Sequence, residues 1–179
     1  MSKPANPVEI TDNLPDQTIQ RSNTDNAPRS AIHQTLYSAD TFAQHDYLAG
    51  KNLPDIARPQ EGQIDWLHFV GINDAALLKH ALEPYGIHEL VIEDILSRKQ
   101  RPKIEDYGSY VFTAAQVYHY TSTGKLHSDQ VYVIIGKDFV LSFQQKPLGL
   151  FSHLRRQMHE NPHNILNKNT AFLAYCLLD

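Results

Sequence analysis

The chain has 179 residues, a formal net charge of -4 and an apolar content of 41%, which is enough for one globular domain with a core. Its acidic and basic residues are well mixed, so the composition predicts no nucleic-acid partner and no direct binding to an anionic membrane surface. The single cysteine, Cys176, excludes an intramolecular disulfide and gives no support for a thiolate zinc cluster. The longest apolar run, residues 172–178, is too short to span a bilayer.

The first 30 residues are rich in proline and polar residues and show no periodicity, which predicts a disordered N-terminal arm. Residues 31–179 are then expected to form a single α/β domain. Ile32 to Tyr37 is a candidate first strand, whereas residues 40–62 are interrupted by prolines and have no clear pattern.

A strand followed by a helix is predicted next. Residues 64–72 are rich in aromatic and β-branched side chains, which favours a strand, and Asn73 then follows as a candidate N-cap. The helix has apolar residues at helical spacing and is expected to end where Pro84 and Gly86 interrupt it.

Residues 88–96 predict a second short helix, because their apolar side chains share one face. Glu93 and Asp94 lie on the other side of this helix, so both carboxylates are expected to point outward. The basic segment from Arg98 to Lys103 follows as a loop. We expect this loop to form salt bridges with Glu105 or Asp106 rather than to bind a nucleic acid.

The rest of the chain predicts a β-meander and then helices. Residues 110–120 form a candidate strand, and two further strands at 131–135 and 139–143 form a hairpin. The near-continuous apolar character of this hairpin predicts strands that helices cover on both faces. Residues 148–158 supply one such helix, and a last helix is expected to begin near Asn169. The predicted fold class is α/β, a central mixed sheet with helices on both faces.

Two linked segments carry a family resemblance. Residues 86–96 (GIHELVIEDIL) are followed by residues 101–105 (RPKIE), at the spacing of the signature of CorA-type divalent-cation transporters. From about Trp66 to Asp179 the chain resembles the cytosolic domain of that family, whose members carry magnesium and, in some branches, cobalt or zinc. Glu89 stands where the family usually has proline, and this difference affects the start of the helix more than its carboxylates.

The resemblance implies an α/β/α sandwich that precedes a long stalk helix and transmembrane helices. It implies a homopentamer at the cytoplasmic face of the cell membrane, attached to the membrane only through C-terminal helices that this chain lacks. The isolated chain is then expected to be soluble, mostly monomeric and not an enzyme. The family's Gly-Met-Asn pore signature does not occur in the 179 residues, so transport by this polypeptide alone is not expected.

The resemblance also implies a metal site. Acidic residues at the positions of Glu93, Asp94 and Asp179 are expected to form an inter-subunit site that senses Mg²⁺ and gates the pore. The chemistry agrees with this role, because Mg²⁺ prefers carboxylate oxygens together with retained waters. Mg²⁺ is then both the regulatory and the transported ion, with Co²⁺ and Zn²⁺ as alternatives.

Other interpretations stay open at this stage. Glu93 and Asp94 also fit the pattern of ordinary solvated charges on a helix surface. The alternative to a transporter is a stand-alone cytosolic metal-binding or interaction domain. The remaining candidates are a zinc site at His159 and His163, a nucleophilic Cys176, and an acid/base pair from the Ile-Glu-Asp triplets at 92–94 and 104–106. The sequence shows no third ligand for the zinc site and no catalytic partner for Cys176, and it does not define the distance between the carboxyls of the acid/base pair.

Overall fold

The computed structural model describes residues 30–48, 54–97, 100–121 and 123–178. The predicted arm, except for its last residue, lies outside these ranges. The helices and strands in chain order are β1 (Ala31–Tyr37), β2 (Phe42–Leu48), β3 (Ile64–Val70), α1 (Ala75–Leu82), α2 (Glu89–Ser97), β4 (Lys103–Asp106), β5 (Tyr110–Tyr120), β6 (Leu126–Gly136), β7 (Phe139–Gln144), α3 (Ser152–Glu160) and α4 (Thr170–Leu178).

The strands form one seven-stranded sheet in the order β2-β1-β3-β7-β6-β5-β4. The central strands β3 and β7 run parallel, and all other neighbouring strands run antiparallel. The predicted mixed sheet is therefore confirmed. The sequence did not predict β2 and β4, which lie at the two edges of the sheet, where strands need only one partner and are largely solvated.

Helices cover both faces of the sheet, as predicted. On one face, α1 and α2 bury Leu77, Leu78, Ala81, Leu82, Val91, Ile92 and Ile95 against alternate residues of the central strands. On the other face, α3 and α4 contribute Met158, Leu173 and Leu177 to a second core, together with Phe151 and Ile165 from the segments beside them. The period-two alternation of β7 supplies both cores, since Leu141 faces the first and Val140 the second.

The N-cap of α1 is Asp74, so the prediction of Asn73 as the cap was wrong. The Oδ1 atom of Asp74 accepts hydrogen bonds from the backbone N–H of Ala76 at 2.9 Å and of Leu77 at 3.0 Å. Asn73 lies one residue too early and instead accepts a hydrogen bond from Gln145 at 2.9 Å. Both residue types are good caps, and the sequence alone does not distinguish between neighbours.

A buried polar network connects α1 to the sheet. Asp65 of β3 is fully buried, and its Oδ2 atom accepts a hydrogen bond of 2.5 Å from the Tyr85 hydroxyl. The Gln34 amide donates to both carboxylate oxygens of Asp65 at 3.1 Å. Burial raises the pKa of Asp65, and these hydrogen bonds oppose that rise. Because Tyr85 lies in the short turn Glu83–Tyr85 between α1 and α2, the network ties this turn to β3.

A second polar contact joins the two central strands. Ser142 of β7 lies opposite His68 of β3, and Trp66 Nε1–H donates to Ser142 Oγ at 2.9 Å. The Ser142 Oγ and His68 Nδ1 atoms also lie within hydrogen-bonding distance, at 2.9 Å. Burial, with smaller contributions from the charges of His33 and Arg155, lowers the pKa of His68 to about 3.

The first prediction concerns the doubly covered sheet. Val133 of β6 is fully buried, so Val133→Asp should lower the free energy of unfolding by at least about 3 kcal/mol, because an unpaired charge would enter an apolar core. Leu126→Asp is the matched control, since Leu126 lies on the same strand but is 58% exposed. Urea denaturation of both variants measures the difference, and equal stabilities would contradict a covered β6.

The second prediction concerns His68. Because its folded-state pKa lies well below the ordinary value, the ring should stay neutral from about pH 8 to about pH 5. Below about pH 6.5 the unfolded chain takes up a proton at His68 and the folded chain does not. As the pH is lowered, the free energy of unfolding should therefore decrease more steeply in the wild type than in His68→Gln. NMR titration of the imidazole, assigned by its loss in that variant, tests this, and a midpoint near pH 6.5 would contradict it.

Candidate functional site

The candidate carboxylates lie on α2. Burial of its apolar face turns the opposite face, which carries the carboxylates, away from the sheet. Val91, Ile92 and Ile95 are buried in the core between α2 and the sheet. Glu93 is consequently exposed, and Asp94 is half-buried at the edge of the helix. The prediction that both carboxylates point outward is confirmed for Glu93, whereas the Asp94 side chain is only 27% exposed.

Asp94 is held in an ion pair. Its Oδ2 atom lies 2.7 Å from Nζ of Lys103 on β4, and its Oδ1 atom accepts a hydrogen bond of 2.7 Å from the Gln100 side chain. The same Lys103 ammonium contacts Glu105 Oε1 at 3.0 Å and lies 5.4 Å from the centre of the Phe112 ring. The hydrogen bond to Asp94 is the largest cause of the raised pKa of Lys103. These contacts tie the C-terminal half of α2 to the edge strand β4.

These contacts answer two expectations from the sequence. Of the predicted partners of the basic segment, Glu105 is confirmed, whereas the stronger contact between Lys103 and Asp94 was missed. The two Ile-Glu-Asp triplets do bring Asp94 and Glu105 near each other, but the Lys103 ammonium contacts both carboxylates. This arrangement differs from two carboxyls that face each other across a substrate cleft.

The charge of Glu93 acts on a different cation, Lys79. The Lys79 ammonium of α1 pairs with Glu89 Oε1 at 2.7 Å, and the pKa of Lys79 is raised by this hydrogen bond first and by the charge of Glu93 to a smaller extent. Asp179 lies outside the described residues. Among the residues that the structure describes, no group of three or more His, Cys, Asp or Glu side chains is arranged to hold a metal ion.

The other candidates from the sequence find little support. His159 and His163 do not share a continuous helix, since α3 ends at Glu160 and a new short helical turn begins at Pro162. The Ser142–His68 pair, which the sequence did not predict, has the atoms of a catalytic dyad, but Ser142 is fully buried and His68 is 4% exposed, so no substrate reaches it. Cys176 is half-buried on the apolar helix α4.

Comparisons with known proteins agree with the sequence motifs. A family model described as CorA-like Mg²⁺ transporter protein matches residues 61–178. The cobalt/magnesium transport protein CorA of Thermotoga maritima is 36% identical over 115 residues, which cover 64% of this chain and 33% of that protein. The magnesium transporter ALR1 of Saccharomyces cerevisiae is 29% identical over 97 residues, which cover 53% of this chain and 11% of that protein.

Solved structures show the same fold. The complete CorA magnesium transporter of Methanocaldococcus jannaschii superposes with a TM-score of 0.63 at 11% identity, covering 82% of this chain and 43% of that chain. The full-length CmaX protein superposes with a TM-score of 0.55 at 15% identity, covering 87% and 46%. The predicted CorA-like α/β fold is thus confirmed. No helix in the described ranges is long and apolar enough to cross a membrane.

The family match spans about two thirds of the chain and contains both motif segments that carried the resemblance. The chain spans only a third of the length of its Thermotoga relative. The family consists of transporters, so the expectation that the chain is not an enzyme is confirmed. The chain belongs to the CorA-like Mg²⁺ transporter family.

Proposed function

We propose that this chain is the cytosolic regulatory part of a homopentameric divalent-cation transporter, in which Glu93 and Asp94 sense Mg²⁺ at the contact with a neighbouring subunit. The observation that carries the proposal is that both carboxylates lie outside the core of α2, within the segment that matches the family. A second subunit reaches such a surface without unfolding either partner.

The chemistry of the site requires that second subunit. Mg²⁺ demands octahedral coordination and keeps several waters, so one or two carboxylates bind it weakly. Asp94 is already paired with Lys103, so Glu93 and Asp94 supply at most two carboxylate groups from one chain. A carboxylate from the neighbouring subunit completes the proposed site, and Asp179 is our candidate for an additional acidic contribution.

Lys103 determines how tightly one chain holds the ion. Its ammonium lies between Asp94 and Glu105 and compensates their negative charge. Mg²⁺ must therefore displace this ammonium or accept its repulsion at a distance of a few ångströms. The proposed switch then has two states, one with Asp94 paired to Lys103 and one with Asp94 turned toward an ion at the subunit contact.

Gating follows from a difference in affinity between states. Mg²⁺ that binds the closed pentamer more tightly than the open one shifts the population toward the closed form, and the shift is limited by that difference. The names of the relatives support Mg²⁺ or Co²⁺ as the transported ion, and Zn²⁺ stays an alternative. We place membrane attachment in further helices, since the relatives are longer than this chain.

The third prediction is that the 179-residue chain binds Mg²⁺ with a Kd of about 1 mM or weaker, because it supplies an incomplete set of ligands. Lys103→Met should tighten binding, since it leaves Asp94 and Glu105 uncompensated. Lys125→Met, which removes an exposed lysine from the β5–β6 turn, is the control. NMR titration with MgCl₂ measures all three affinities. Equal affinities in the two variants would contradict the role of Lys103.

The fourth prediction tests sensing in the full-length transporter. Glu93→Gln with Asp94→Asn should abolish inhibition by high cytosolic Mg²⁺ and leave conduction intact. The matched control is Asp138→Asn with Glu160→Gln, which makes the same chemical changes at exposed positions in the β6–β7 turn and on α3. Ion flux into proteoliposomes, with Mg²⁺ varied on the cytosolic side, measures both. Unchanged inhibition in the first variant would mean that these carboxylates are solvated surface charges.

A further inference from the structure

The β5–β6 hairpin extends beyond the rest of the sheet. Pairing between β4 and β5 ends at Ala114, and pairing between β6 and β7 begins at Val131. Residues 116–120 and 126–130 therefore form a two-stranded ribbon, with no further strand on either side among the residues that the structure describes. An isolated two-stranded ribbon is marginally stable in water, so additional contacts on this ribbon have structural value.

Three potential metal ligands lie on one face of the ribbon. His119 lies directly opposite His127, and Asp129 lies opposite Val117, two residues from His119. Alternation along the strands places all three on the same side as Val131 and Val133, which face α3 and α4. This face is opposite to the one that carries α2, so these residues are separate from Glu93 and Asp94.

Asp129 has an unsatisfied oxygen. Its side chain is only 10% exposed, and its Oδ1 atom pairs with the Lys146 ammonium at 2.9 Å. Its Oδ2 atom is buried, makes no hydrogen bond and lies 3.7 Å from His119 Nε2. The buried Nδ1 atom of His119 also lacks a hydrogen-bond partner. A buried carboxylate oxygen without a donor is costly, and this cost points to a ligand.

The separation between these atoms fits a bound metal. Two ligands of a tetrahedral Zn²⁺ ion with bonds of about 2.0–2.1 Å lie about 3.4 Å apart. The distance of 3.7 Å from His119 Nε2 to Asp129 Oδ2 is close to this value. The ring of His127 is exposed and its centre lies 6.2 Å from that of His119, so a change of rotamer can bring it to the same ion.

We propose that His119 and Asp129, with His127 turning in as the third ligand, form a binding site for Zn²⁺ or another late first-row divalent cation. The site closes on binding, since the described residues hold no group of three such ligands already arranged around an ion. Imidazole and carboxylate ligands favour these cations over Mg²⁺, which prefers oxygen ligands alone. The bound ion would satisfy the orphaned Asp129 Oδ2 atom and link the two strands of the ribbon.

Removal of the Lys146 charge should change the metal affinity in the opposite direction to removal of a ligand. Its ammonium orients the Asp129 carboxylate, but its charge repels any cation bound at Oδ2. Lys146→Gln should therefore tighten metal binding, whereas loss of a ligand should weaken it. A variant that merely damages the fold cannot tighten binding.

The experiment is calorimetric titration of the 179-residue chain with ZnCl₂, supported by the visible absorption of Co²⁺, which reports its geometry. His127→Gln removes an exposed side chain and should weaken Zn²⁺ binding by at least about tenfold, as should His119→Gln. Lys146→Gln should tighten it by about threefold or more. The matched control is His153→Gln, an exposed histidine on α3, which should leave the affinity unchanged.

The result that would overturn the proposal is equally specific. No Zn²⁺ binding up to about 1 mM, or an affinity that neither His119→Gln nor His127→Gln changes, would remove the site. Glu93→Gln with Asp94→Asn should leave Zn²⁺ binding intact. Loss of binding in that double variant would assign the ion to α2 and also contradict the proposal, independently of whether α2 senses Mg²⁺.

Discussion

The structure depends on the burial of both faces of the parallel pair β3 and β7. Alternate side chains of these strands belong to two different cores, so neither strand is stable until helices cover both sides of the sheet. A polar contact also joins these two strands, because Ser142 is hydrogen-bonded to both Trp66 and His68. α1 and α2 are fixed on one face as a consequence, and the carboxylates of α2 acquire their positions from that packing.

Much of this fold was predictable from the sequence, since the apolar periodicity of residues 64–72, 88–96 and 139–143 depends on burial alone. The edge strands β2 and β4 were not predictable, because a half-solvated edge strand needs no regular apolar pattern. The cap at Asp74 was misassigned by one residue, since side-chain hydrogen bonds depend on backbone angles that the sequence does not specify. The contact between Asp94 and Lys103 joins a helix to the first residue of the next strand, nine positions along the chain, and no helical spacing rule covers it.

The candidate site is more constrained than the motif indicates. Two adjacent carboxylates on one helix suggest a single shared ion, yet Asp94 is already paired with Lys103, whereas Glu93 is exposed. The Lys103 ammonium lies between Asp94 and Glu105, where a metal ion bound by these two carboxylates would also lie. A sensor with such an internal counter-ion responds only when Mg²⁺ binds the Asp94 carboxylate more favourably than the Lys103 ammonium does. A second subunit supplies that advantage in the proposed assembly, because it adds ligands without adding positive charge.

The central claim is that an ion bridges α2 of one subunit to the next. Diffraction from crystals of the full-length protein grown with Mn²⁺, which substitutes for Mg²⁺ in oxygen-ligand sites and scatters anomalously, tests this claim most directly. The account predicts an anomalous peak at the subunit contact, within about 5 Å of the Glu93 or Asp94 carboxylates, the reach of one bridging water. It also predicts that Asp94 no longer contacts Lys103 at that site. A subunit contact that lacks such a peak and retains the Asp94–Lys103 ion pair would contradict it.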